Sequence, residues 1–138
     1  FDTRECEKVA NVLFDIEKAD LVWNITPVLI PKNKAKLLMN MLLIAAASVP
    51  RGGEVTVDLD GEAGQETIKI TATSDAEKKQ KTLLPVGVEA LLAGNPEEGV
   101  DARGIQPFYT GLLARMSGMT LDIGVADEVF TFTASPGN

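Results

Sequence analysis

The chain has 138 residues, enough for one domain that buries about two-thirds of its unfolded surface without cross-links, and its 45% hydrophobic and 24% charged content is that of a globular protein. A net charge of −7, with lysines gathered only in short patches such as Lys78, Lys79 and Lys81, excludes the basic face that nucleic acid demands. The longest apolar run, Met41 to Ala47, is far below the ~20 residues of a membrane span, and the single cysteine, Cys6, excludes an internal disulfide and fits a reducing cytoplasm.

The first helix is expected over residues 3–18. Asp2 followed by Glu5 has capping-box-like spacing, and Cys6, Val9, Leu13 and Ile16 recur at helical intervals with Val12 beside them. Asp20 to Ile25 has the β-branched and aromatic content of a short strand, with Trp23 plugging the junction between helix and sheet; Pro27 breaks it and Pro31 opens the next helix. That helix, about 31–47, is apolar nearly all round after Lys36, which marks a helix packed on more than one side. It nevertheless carries Asn40 inside the aliphatic run, where an unpartnered amide would cost roughly 1–3 kcal/mol.

Pro50-Arg-Gly-Gly53 turns the chain into two alternating runs, Glu54 to Asp60 and Thr67 to Thr73, which read as an antiparallel hairpin with one buried face. Ser74 to Lys81 reads as a polar loop. Leu83 to Ala93 reads as a helix with Pro85 in its first turn, broken by Gly94-Asn-Pro-Glu-Glu-Gly99. The last helix starts near Ile105 or Gln106, with Pro107 in its first turn. Its expected core stripe is Ile105, Phe108, Leu112 and Met116, widened by Tyr109 and Leu113, with Gly118 as C-terminal cap. A second hairpin, Met119 to Gly124 and Val129 to Ala134, turns over Ala126-Asp127-Glu128, and 135–138 reads as a disordered tail. The order of elements predicts an α/β two-layer sandwich, a mixed sheet covered by helices.

The wording of two stretches carries a resemblance. Leu38-Met-Asn-Met-Leu42 through Val49-Pro-Arg-Gly-Gly-Glu-Val-Thr-Val57 is similar to the N-box helix, turn and strand of the ATP-binding domain of sensor histidine kinases, the GHKL fold shared with gyrase and MutL. Gly111-Leu-Leu-Ala-Arg-Met-Ser-Gly118 and Val129-Phe-Thr-Phe-Thr-Ala134 resemble that family's last helix and hairpin, so the resemblance spans roughly residues 20–134. It implies that Asn40 is a vestige of a magnesium and nucleotide site. The family sets two amides one helical turn apart; here the second position is Ile44, which has no oxygen, and the basic residue three further on is Ala47. No Asp-x-Gly-x-Gly box lies between Thr73 and Glu89, and the lid segment Asp101-Ala-Arg-Gly-Ile-Gln-Pro-Phe108 has one glycine and a proline where phosphate-cradling amides would stand. Asn40 is then expected to bond a backbone carbonyl, and no ATP, metal or other cofactor is expected.

Ala102-Arg-Gly-Ile-Gln-Pro-Phe-Tyr109, Gly-Leu-Leu-Ala-Arg115 and Leu84-Pro-Val-Gly87, joined to the eroded N-box, resemble the C-terminal domain of ChpT-type histidine phosphotransferases. That resemblance implies a relay in which phosphoryl passes from the aspartate of one response-regulator receiver domain to histidine and on to another receiver. It also implies homodimerisation through an N-terminal helical hairpin that bears the histidine. This chain has no histidine, and histidine relay needs an imidazole nucleophile, so no residue here is assigned a catalytic role. Without an initiator methionine at Phe1, the hairpin is expected upstream. Residues 1–19 then form a linking helix or the hairpin's end, and 20–134 a degenerate kinase-like domain. The alternatives are an active or divergent ATP-binding domain of histidine-kinase or anti-sigma type, using Asp101 and Arg103, and a module that only binds proteins. The carboxylate pairs Glu97/Glu98 and Asp58/Asp60 read as solvated surface.

Overall fold

Val55, Val57 and Leu59 alternate with Thr56 and Asp58, and that period of two builds the sheet. The computed structural model describes residues 1–75, 82, 84, 87–96, 99–100 and 104–137. These form α1 (Thr3–Phe14), β1 (Ala19–Trp23), α2 (Lys32–Ala47), β2 (Gly53–Asp60), β3 (Thr67–Ser74), α3 (Val88–Ala93), α4 (Ile105–Met116), β4 (Met119–Ala126) and β5 (Val129–Pro136). The strands make one sheet in the order β1-β2-β3-β5-β4, parallel between β1 and β2 and antiparallel elsewhere.

Register aligns the apolar residues into rows. Val55 stands opposite Ala72, which stands opposite Phe130; Val57, Ile70 and Phe132 form the next row, and Leu59, Ile68 and Ala134 the third. Phe130 and Phe132 meet edge to face, with ring centroids 6.1 Å apart. The helices cover this face: α2 packs on β2, β3 and β5, α4 beside it on β4, and α1 on β1. The other face presents Thr56, Thr71 and Thr131, half-buried, so the architecture is the expected two-layer α/β sandwich.

Helix α1 differs from expectation in length and in face. It ends at Phe14, after which the Ile16 amide turns back onto the Leu13 carbonyl, three residues away, in place of the next α-helical bond. Its buried residues are Thr3, Cys6, Ala10 and Phe14, while Val9, Val12 and Ile16 are exposed. The small Cys6 and Ala10 let the helix lie close to its neighbours, which a row of valines would prevent. Burial pushes the Cys6 thiol pKa up, as suits a small core hydrophobe. The capping box is half formed: Asp2 accepts from the Arg4 amide at 2.9 Å, but Glu5 pairs with Lys8. The Arg4 guanidinium and amide together hold the Asp2 carboxyl down to about 2.

At the other end, β5 runs to Pro136, so 135 and 136 belong to the sheet and not to a tail. Ser135 pairs with Thr120 and Pro136 with Met119, and the Gly137 amide donates to the Gly118 carbonyl at 2.7 Å. Helix α3 starts at Val88. Pro85, the lysines 78, 79 and 81, Glu97, Glu98, Asp101 and Arg103 lie outside the described residues.

Helix α4 is rotated relative to the stripe read from hydrophobicity. Pro107, Thr110, Gly111, Leu113 and Ala114 face inward, Phe108 is half-buried, and Ile105, Tyr109, Leu112 and Met116 face solvent. Small residues win the inner face because α4 packs tightly against α3. A Cβ on Gly111 would collide with the Leu92 carbonyl oxygen, and the Arg115 guanidinium donates to that same oxygen at 2.9 Å. Thr110 can be fully buried because its hydroxyl donates to the Gln106 carbonyl at 2.6 Å.

Candidate functional site

Helices α2 and α4 lie side by side, and the residues of the expected vestigial site sit on that seam. Asn40 is on α2, half-buried rather than enclosed in the aliphatic run. Its Nδ2 donates to the Lys36 carbonyl one turn back at 2.8 Å, and its Oδ1 lies 3.5 Å from Nε2 of Gln106 on α4. Both ends of the amide are thereby engaged within the protein. Ile44, one turn on, is 4% exposed and belongs to the core; Ala47, three further, is exposed. The chemistry a magnesium ion would meet here is one amide oxygen already facing an amide and one aliphatic side chain, whereas Mg²⁺ demands several hard oxygens. Among the described residues, no group of three or more His, Cys, Asp or Glu side chains could hold a metal.

The N-terminus of α4 is equally unhelpful to phosphate. Gly104 caps it without a side-chain bond, and Pro107, in the first turn, removes one of the free amides that would otherwise point at an anion. The turn after α2 has the expected local shape. Ser48 closes the helix by donating to the Ala45 carbonyl at 2.6 Å, and Gly52 and Gly53 take φ of 116° and 154° to bring the chain into β2.

Open clefts among the described residues lie elsewhere. One, of about 470 Å³, is lined by Glu89, Leu92, Ala114, Arg115, Leu121 and Ile123; another, of about 560 Å³, is lined by Lys32, Asn33, Gln65, Met116, Ser117 and Gly137. Neither is lined by Asn40, Ile44 or Gln106. Beside the second cleft sits an ion pair that the periodicity of α2 gave no hint of. Lys34 Nζ donates to the Glu66 carbonyl at 2.8 Å and to its carboxylate at 3.1 Å, with side chains only 7% and 5% exposed. Burial pushes the Glu66 carboxyl up, but its own and the Gly64 amide and the Lys34 ammonium outweigh this and hold it below the usual range. The pair ties the first turn of α2 to the β2–β3 connection.

A parallel β1–β2 pair entering an otherwise antiparallel sheet, with an asparagine-bearing helix and a proline-started helix packed across it, defines the fold of the histidine-kinase ATP-binding domain. The mycobacterial sensor histidine kinase MprB superposes with a TM-score of 0.65 over 100% of this chain and 97% of that one at 15% identity. The Acinetobacter baumannii histidine kinase AdeS gives 0.64 over 99% of this chain and 65% of that one at 14% identity, likenesses of fold alone. Closer relationships define the family. The model of the histidine phosphotransferase C-terminal domain matches residues 3–129, and the chain belongs to that family. It is 38% identical to protein phosphotransferase ChpT of Brucella abortus (strain 2308), over 96% of this chain and 62% of that protein. A solved bacterial phosphotransferase gives a TM-score of 0.88 at 38% identity over 98% of this chain and 64% of that one. The chain thus spans a little under two-thirds of the length of these relatives.

Proposed function

We propose that this chain is the kinase-like half of a histidine phosphotransferase in a bacterial two-component phosphorelay, and that it positions protein partners without binding ATP. In this reading the phosphoryl group moves from a receiver aspartate to an imidazole nitrogen and then to the aspartate of a second receiver. Each step breaks one bond to phosphorus and forms another, with no redox change. The imidazole lies outside this sequence, in a helical hairpin that also makes the homodimer, because the chain itself holds no histidine. Residues 1–19 link that hairpin to the domain at 20–134, and the protein is cytoplasmic; among the described residues no helix is long and apolar enough to cross a membrane.

The observation that carries the reading is the state of the seam between α2 and α4. Asn40 is engaged by Lys36 and Gln106, Ile44 is buried in the place of a second oxygen ligand, and Pro107 interrupts the amides of the first turn. Such a scaffold keeps the kinase shape while its surfaces remain free for contact, and in phosphoryl transfer placement supplies much of the rate. The 74–81 and 94–104 segments, on the former lid side, are further candidates for that contact; of these, residues 76–81, 97–98 and 101–103 lie outside the described residues.

Calorimetric titration of the intact protein with ATP and Mg²⁺ tests the first half, and incubation with a phosphorylated receiver domain tests the second. Absence of nucleotide heat together with label appearing on the protein is expected. Micromolar ATP binding, or no label from any receiver of the source organism, overturns the corresponding half.

A further inference from the structure

Ile105, Tyr109, Leu112 and Met116 follow one another along α4 at helical spacing and are 60%, 39%, 41% and 60% exposed. Four large apolar side chains on one face amount to a patch, not scattered surface residues. The core contacts of the helix are made on its opposite side, by Thr110, Leu113 and Ala114.

The charges around the patch are as uneven as its hydrophobicity. Helix α2 runs antiparallel beside α4: Asn40 meets Gln106 at one end, and Lys32 and Met116 line the same cleft at the other. Neither helix carries an aspartate or glutamate. Lys32 and Lys36 are exposed along the α2 side, and Arg115, fixed through Leu92, is exposed on the α3 side, in a cleft it shares with the carboxylates of Glu89 and Asp122. In a chain with 20 acidic and 13 basic residues, an apolar stripe bordered along its α2 side by two lysines and no carboxylate of either helix is complementary to an anionic partner.

We infer that the exposed face of α4, with Lys32, Lys36 and Arg115 at its border, is a docking surface for the receiver domain; this rests on the phosphorelay reading above. A receiver suits it chemically. Its acceptor is a carboxylate, and the phosphoryl group adds further negative charge, so the partner's transfer side is anionic. A second copy of this chain suits it poorly, because a two-fold contact through this face would bring Lys32, Lys36 and Arg115 against their own counterparts.

The test uses the intact protein and a purified receiver domain to which it transfers phosphoryl. The dissociation constant is measured by calorimetry for the wild type, for Leu112→Asp and for the pair Lys32→Glu/Lys36→Glu, with Val12→Asp on α1 as control. Leu112→Asp is expected to weaken binding about tenfold or more. The lysine pair is expected to weaken it several-fold with a shallower salt dependence. Val12→Asp should change nothing, and melting temperatures should be unmoved. If the wild type binds a receiver and both α4-face variants keep its affinity within about twofold, the docking surface is wrong and the phosphorelay reading stands. If the variants instead only convert a dimer to a monomer, the face is a self-association surface and the inference also falls. If no receiver binds or exchanges phosphoryl with the wild type, the phosphorelay reading fails and takes the inference with it.

Discussion

Removing the ammonium from the buried Lys34–Glu66 pair is expected to be among the most damaging conservative changes in this chain. Lys34→Met keeps the length and apolar stem of the side chain but leaves the Glu66 carboxylate, 5% exposed, without its counter-ion. Breaking one partner of such a pair costs about 3–5 kcal/mol, whereas replacing both by neutral groups of similar shape costs far less. Lys34→Met/Glu66→Gln should therefore recover most of the loss, since the new amide still faces the backbone donors that served the carboxylate. The pH dependence has a definite sign. In the wild type the folded Glu66 is more acidic than in the unfolded chain, so its contribution is present above the unfolded value of about 4.3 and is lost as pH falls through the lower folded value. In Lys34→Met burial is opposed only by the backbone amides, and the folded group becomes a weaker acid, so its penalty grows above the unfolded value and fades below it. The gap between wild type and variant, read by urea denaturation followed by circular dichroism, should be widest near pH 7 and should close toward about pH 3–4. A single variant within about 1 kcal/mol of wild type near neutrality, or a gap independent of pH, would refute the reasoning.

Gly111→Ala would stabilise an isolated helix by roughly 1 kcal/mol, yet here the added methyl meets the Leu92 carbonyl, so a net loss of about 1–3 kcal/mol and release of the Arg115–Leu92 bond are expected in denaturation and a crystal structure; a gain in stability would show that α3 and α4 are not in such close contact. Asn40→Ala removes a bond to the carbonyl one turn back but improves helix propensity, so stability should stay within about 1 kcal/mol and phosphotransfer by the intact protein should be unchanged. Loss of transfer in that variant, restored by excess Mg²⁺, would mean that the amide serves a metal.

Local patterning carried most of the architecture. The strands are legible because alternation of apolar and polar residues admits only one burial for a paired strand: once Val55 points inward, Val57 and Leu59 follow, and the partners in β3 and β5 fall into register. The position of α2 is legible because an apolar helix flanked by Pro31 and Pro50 has to be buried; Asn40 could be singled out by side-chain type, and Ile44 only through the resemblance to the N-box. What a pattern of hydrophobicity could not decide was which of two faces a helix buries. In α1 and α4 the larger apolar residues, Val9 and Val12, Ile105 and Leu112, point to solvent, while Cys6 and Ala10, Gly111 and Ala114 point inward. Close approach of backbones selects small side chains at a helix contact, and that approach is a property of the neighbouring element, not of the helix. The same holds for Lys34, whose burial depends on Glu66 arriving from a strand connection 32 residues away. Side-chain types and their spacing settled the elements and the family resemblance; only the packing of one element on another decided which residues are left for partners to touch.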